Sequence, residues 1–262
     1  MSCGDDMQKL ITFFKLCYKY YKAPSDTTVD LDDIFTFVEV LDKDVQQKHV
    51  ERFRRLPIAQ RVFTGESFES VLMKSEFEPG TMGHDFQAFM KEANTDLFKV
   101  SQNSMTFKNK ADENYHRHAM LEHDFIHFIF DYDTTPMGEV MVLSNSMAKA
   151  WRWSYFAILF SSLFMAIRNS FSPKKRLRYG SLWFRIKYLP VVTYVRLVRE
   201  GYKVGKQSPW MFGVDIEKLY HIPTEEVRNI LNIQPSKLWK AVQPHWAKLH
   251  ARYKEINADA IN

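Results

Sequence analysis

His123-Asp124-Phe125-Ile126-His127, followed after eleven residues by Glu139, is the stretch of this chain whose residue types and spacing could do chemistry. On a helix each residue advances about 100°, so His127 lies about 40° and Asp124 about 100° from His123. All three side chains therefore share one arc. Histidines at i and i+4 face each other across one turn. That suits two imidazole nitrogens converging on a metal at about 2.0–2.1 Å. Glu139 cannot join from the same helix, because twelve residues at roughly 1.5 Å each would carry it about 18 Å away. The chain must turn back. The reading is a metal site or proton-transfer site held between two helices, with His123, Asp124, His127 and Glu139 as candidate ligands. Asp124 and Glu139 are also the candidate proton carriers.

The elements that must position these groups are legible around them. Asp131-Tyr132-Asp133-Thr134-Thr135-Pro136 is a polar turn, with Thr135 as N-cap and Pro136 at the first helical position. Glu139 then falls near the first turn of a second, antiparallel helix. Strand signals are sparse and helix signals many, so an all-α fold in one domain over residues 1–262 is expected, with an N-terminal helical extension over 1–48. Helices are predicted over 10–22, 31–56, 84–100 and the motif region, with 65–83 as loop signals and 109–114 as a polar connection. The second motif helix is predicted to run from Pro136 well past Trp151 and to break at Ser172-Pro173. A helix over 179–202 is predicted to kink at Pro190. Thr224 is read as the cap of a short helix, and Pro235-Ser236 as the start of the last.

The 262 residues are 45% hydrophobic and 15% aromatic, which argues for a folded core. The many Phe, Tyr and Trp hint at an apolar groove. Residues 153–167 carry no charge over fifteen positions, short of the about 20 apolar residues a membrane span wants. A buried helix, or one wall of a lipid pocket, fits better. Cys3 and Cys17 offer no disulfide framework. The other seven histidines lack partners at ligand spacing and read as surface or core.

Charge is unevenly placed. Residues 174–206 hold ten basic residues against Glu200 alone, although the whole chain carries only +5. One basic segment on an otherwise mildly acidic protein implies a local anionic partner. With Trp183, Phe184, Tyr188 and Tyr194 interleaved, it reads as a contact with a membrane surface. No nucleic-acid-binding motif is present, so no nucleic acid is expected as partner.

The motif also resembles that of the coenzyme Q biosynthesis family of the Coq-four type, H-D-x-x-H-x(11)-E followed by a long apolar helix. His123, Asp124, His127 and Glu139 match all four positions. Pro79-Gly80-Thr81-Met82-Gly83, Met137-Gly138-Glu139, Glu200-Gly201-Tyr202-Lys203 and Glu225-Glu226-Val227-Arg228 resemble other family segments, so that the likeness spans about 52–235. One departure precedes the motif. Members usually carry Arg-Glu two and three residues ahead of the first His, where this chain has Met120-Leu121, with Glu122 adjacent. The resemblance implies a ubiquinone biosynthesis protein. It would be a lyase-like enzyme that removes, and in some descriptions replaces by hydroxyl, the carboxyl group of a polyprenyl hydroxybenzoate.

The same resemblance implies a divalent metal, zinc first, with cobalt, iron or manganese as alternatives. It further implies a bound isoprenoid precursor, other quinone-biosynthesis enzymes as partners, and a homodimer as one possible state. A non-catalytic lipid-binding scaffold is the alternative. The acidic start, Met-Ser-Cys-Gly-Asp-Asp, lacks a transit-peptide pattern. It points to a bacterial cytoplasmic form at the inner face of the cell membrane, or a trimmed chain; a eukaryotic member would sit on the matrix side of the mitochondrial inner membrane. The pattern departs from the H-E-x-x-H of metalloproteases. An H-D phosphohydrolase would need a further upstream His and downstream Asp in one pocket.

Overall fold

The computed structural model describes residues 7, 11–15, 18–19, 41–65, 68–92, 109–171 and 190–258; at 43, 44, 69, 165, 169 and 249–258 only the backbone is described. Among the described residues the chain is helical throughout. The elements are α1 (Lys43–Arg54), α2 (Ala59–Thr64), α3 (Phe68–Lys74), α4 (Met82–Glu92), α5 (Lys110–Ile129) and α6 (Pro136–Met147). There follow α7 (Trp153–Phe171), α8 (Pro190–Gln207), two 3-10 turns (Met211–Gly213 and Ile216–Leu219), α9 (Thr224–Ile230) and α10 (Lys237–Ala258). A single isolated bridge joins Thr81 to Pro223. This is the all-α architecture the sequence predicts.

Helix α5 is the axis of the molecule. It packs against α2, α3, α4, α6 and the first 3-10 turn, and α6 in turn packs on α7 and α8. One continuous core results, from Phe53 through Phe86, Phe125 and Met141 to Trp239, all nearly inaccessible. Helix α5 begins where Asn109 accepts a hydrogen bond from the Asp112 N–H at 3.0 Å, and Asp112 and Glu113 occupy its first turn. Both features stabilise a helix N-terminus. Residues 109–114 are therefore the cap and first turn of α5, not a connection.

Helix α5 ends in a Schellman motif. The Tyr132 N–H donates to the His127 carbonyl at 2.8 Å and the Asp131 N–H to that of Phe128 at 3.2 Å, with Asp131 in the left-handed region at φ 60°. Trp239 on α10 donates its indole N–H to the Asp131 carbonyl at 2.7 Å, pinning the turn from outside. Helix α6 then starts as the sequence predicts, with the Thr135 hydroxyl accepting the Gly138 N–H and Pro136 inside the first turn.

Several boundaries differ from the sequence reading. The second motif helix stops at Met147 and a new helix starts at Trp153. No Pro or Gly marks this break; Asp42 creates it by accepting the Ser154 N–H at 3.2 Å and its hydroxyl. Asp42 also separates α1 from helical Leu41, so the helix predicted over 31–56 is divided there, while residues 31–40 lie outside the described residues. The 65–83 stretch holds α3. Thr224 lies inside α9, with Pro223 at the cap, and its hydroxyl donates to Asp85 at 2.6 Å instead. Ser236 does cap α10, accepting the Trp239 N–H at 3.0 Å. Pro190 opens α8 as described; residues 172–189, with the predicted kink's preceding arm and most of the basic segment, lie outside the described residues.

Helix α8 approaches α6 closely because Gly201 and Gly205, one turn apart, lack side chains at the crossing. A Cβ on Gly201 would come within 2.8 Å of the Met141 carbonyl, and one on Gly205 would collide with that of Asn145. No helix among the described residues is long and apolar enough to cross a membrane. Helix α7 instead sets Phe156 and Phe160 against Phe13, with ring centroids 6.4 and 5.6 Å from it.

Candidate metal centre

His123 and His127 project from the last two turns of α5 toward the first turn of α6, where Glu139 meets them. His123 Nε2 lies 3.2 Å from Glu139 Oε2, His127 Nε2 lies 3.2 Å from Oε1, and the two Nε2 atoms are 3.3 Å apart. Ligands 2.0–2.1 Å from a tetrahedral ion stand about 3.3–3.4 Å from one another. The three donor groups therefore already have the edge lengths of such a shell. They form a group whose donor atoms all lie within 4.8 Å of one another. Three protein donors leave further positions of a metal open to another ligand.

The outer contacts favour a metal too. The His127 Nδ1–H donates to the Tyr132 carbonyl at 3.3 Å, which fixes the ring and aims Nε2 at Glu139. The gap of 3.2 Å between Nε2 and the carboxylate oxygen is one that a proton or a metal ion can bridge. His127 is fully buried, whereas the side chains of His123 and Glu139 keep 32% and 41% of their accessibility. The centre thus has a closed back and an open front. Gly138 lets α6 come this close, because a Cβ there would collide with the Asp133 carbonyl.

Without an ion, a proton does part of the same work. Burial alone would lower the His123 imidazole, but the charge and hydrogen bond of Glu139 overcome it and raise it to about 9. Burial pushes the Glu139 carboxyl up, yet the two imidazoles hold it well below the carboxylate range. Asp124 is placed differently. It is buried on the inner side of α5, and its carboxylate stands outside the three-residue group. Burial raises it to about 6, partly offset by the charges of His123 and His127. Three of the four predicted site residues are brought together, and Asp124 lies beside them within electrostatic reach.

Four of the remaining histidines have partners outside this centre. His49 pairs with the Tyr115 hydroxyl at 2.6 Å and His118 with the Phe212 carbonyl at 2.9 Å. His84 faces Asp85, and His221 packs on Phe77. The sequence reading does not include the Tyr132 carbonyl in the site; a backbone group three residues past the helix end carries no side-chain signal.

Fold and site together define an all-α protein with a two-histidine, one-carboxylate centre between consecutive helices. Its fold is shared with a crystallised protein from Nostoc punctiforme PCC 73102 described as a "putative ubiquinone biosynthesis protein". The two are 16% identical, with a TM-score of 0.56 over 87% of this chain and 98% of the other. No family model matches this sequence, and no curated protein does.

Proposed function

We propose that this protein acts in the biosynthesis of a prenylated quinone, at the step where the ring carboxyl group of a polyprenyl hydroxybenzoate is removed. The observation that carries the reading is the open His123–His127–Glu139 group at tetrahedral spacing. The fold shared with the Nostoc punctiforme protein gives it its direction. His123, His127 and Glu139 would hold the divalent ion, zinc first, with cobalt, iron or manganese as alternatives, and Asp124, outside that group, would act beside it. Bound there, such an ion supplies a Lewis acid for the carboxylate and phenolate oxygens of the ring.

The chain's own groups do the rest. The buried Tyr132 carbonyl fixes His127, and the exposed side of Glu139 faces the opening through which a ring would enter. When the carboxyl leaves as carbon dioxide, the ring carbon needs a proton in its place; Asp124, raised to about 6, is a carboxyl that can release one near neutral pH. Where dioxygen and a two-electron reductant are co-reactants, one oxygen atom would enter the ring as hydroxyl and the other would leave as water. The prenyl tail would follow the apolar surface of Trp151, just before α7, and of Trp153, Ile167 and Phe171 along it, all of which stay exposed.

A membrane surface is part of the proposal. On α8, Val192 and Val195 and then Arg199, Lys203 and Lys206 form one exposed stripe. It continues the basic segment whose residues 174–189 lie outside the described residues. Tyr194, expected at that surface, is buried and donates its hydroxyl to the Leu159 carbonyl. Other enzymes of quinone biosynthesis would be met at the same surface, the cytoplasmic face of a bacterial membrane or its mitochondrial counterpart.

One observation favours a second reading, a lipid-binding scaffold with a structural centre: each Glu139 oxygen already serves one histidine, so the group closes on itself. The experiment is metal analysis of the purified protein beside His127→Ala, followed by carbon dioxide release from a polyprenyl hydroxybenzoate. One ion per chain, lost in the variant together with carbon dioxide release, supports the enzyme. A metal-loaded protein without turnover leaves the scaffold.

A further inference from the structure

On the face of α5 next to the one that carries the metal centre lies a cavity lined by Ala119, Glu122 and Ile126 of α5, by Asn145 of α6 and by Arg152 and Tyr155 at the start of α7. His49, Lys149, Trp210 and Phe212 complete its wall. Arg152 is the notable member. It is only 8% exposed, and the centre of its guanidinium stands 5.4 Å from the Tyr155 ring. Among the described residues no carboxylate comes within ion-pair distance of it. The Tyr115 hydroxyl is a hydrogen-bond partner, and Tyr155, Asp42 and Glu122 act on it by charge. Asp42 is committed elsewhere, to the N–H and hydroxyl of Ser154.

A buried charge is costly unless it is paired and hydrogen-bonded. This one opens into a cavity. A second cation, Lys149, lines the same space, with its ammonium donating to the Lys206 carbonyl at 3.1 Å, and Arg52 stands 3.9 Å over the Trp210 ring at its wall while donating to the Lys149 carbonyl at 3.1 Å. Glu122 is the one acid among the lining residues. Ile126, Trp210, Met211 and Phe212 form the apolar part of the wall, and His49, Asn145, Ser146 and Tyr155 add polar groups to it. A planar guanidinium matches a carboxylate or phosphate through two parallel hydrogen bonds.

We infer that this cavity is a binding site for a small oxyanion, a carboxylate or a phosphate group, held by Arg152 with Lys149 at its side. The site is separate from the metal centre. Glu122 and Ile126 face the cavity, whereas His123 and His127 face Glu139, so the two share α5 but not their ligands. The inference does not depend on the proposed function.

The test is titration calorimetry of the full chain, stripped of metal with a chelator, against inorganic phosphate, acetate and benzoate in separate runs. Saturable binding of at least one probe is expected, and which probe binds tells phosphate from carboxylate. Arg152→Gln should weaken that binding about tenfold or more, since a charged hydrogen bond contributes about 1.5–3 kcal/mol. If that variant does not fold, Ala119→Leu, which fills the cavity and leaves the guanidinium in place, should abolish binding instead. Binding must survive in Glu139→Gln. The inference is overturned if none of the probes binds the wild type, if Ala119→Leu binds as well as the wild type, or if Glu139→Gln removes the binding and so places the anion at the metal centre.

Discussion

His127 joins two tasks on one imidazole: Nδ1 donates to the Tyr132 carbonyl, and Nε2 is offered to Glu139. Holding a ligand's tautomer in this way typically changes metal affinity 10–100-fold. His127→Ala and Glu139→Gln should therefore lose the metal, read as ions per chain by elemental analysis. Asp124→Asn should keep it, because the Asp124 carboxylate stands outside the three-residue group; any effect should fall on turnover instead. The proton on His123 gives a second expectation. In the metal-free chain this imidazole is raised to about 9, so at pH 7 an incoming ion must displace that proton. Metal affinity should rise with pH up to about 9 and flatten above it. Calorimetry in two buffers of different ionisation enthalpy should report release of about one proton per ion bound at pH 7.

Among the elements, α8 crosses α6 at Met141, Ser144 and Asn145, just beyond the turn that carries Glu139. Gly205→Leu would push a side chain into the Asn145 backbone. Overpacking of this kind costs about 1–3 kcal/mol or more; a lower urea midpoint measures it, and weaker metal binding at fixed pH should accompany it. How far such elements can be read from sequence depends on where their signals lie. The turn between α5 and α6 announces itself, because Thr135, Pro136 and the i,i+4 histidines are local. The start of α5 was legible in principle, since Asn109 is followed by Asp112 and Glu113, a cap with acids in its first turn. Polar residues that cap a helix look like a loop until the helix is seen. The break before α7 was not legible at all. It depends on Asp42, 112 residues distant, and no local pattern in Ala148-Lys149-Ala150-Trp151-Arg152 reports that contact.

For the whole molecule, two buried neutral histidines set a response to acid. Burial lowers His49 to about 3, with Arg152 and Arg52 adding to the effect, and lowers His118 to about 4 against its bond to Phe212. The unfolded chain takes up these protons near pH 6.5, and the folded chain does not. The stability they contribute is therefore complete above pH 6.5 and is lost as pH falls toward 4. Glu122 and Asp124, raised by burial to about 7 and about 6, titrate in the opposite sense and mask part of this. The expectation is best checked as a difference. Relative to His118→Gln, the wild type should lose up to about 1.4 kcal/mol of unfolding free energy per pH unit between pH 6.5 and 4. Urea unfolding of both proteins at several pH values measures it.

The Schellman motif at the end of α5 carries a last consequence. The Tyr132 peptide group donates its N–H to the His127 carbonyl while its own carbonyl receives the His127 ring. Opening that turn and freeing that ring are one event. Hydrogen–deuterium exchange at the Tyr132 amide should therefore slow when the centre is loaded, which makes a single backbone proton a gauge of occupancy that needs neither substrate nor turnover.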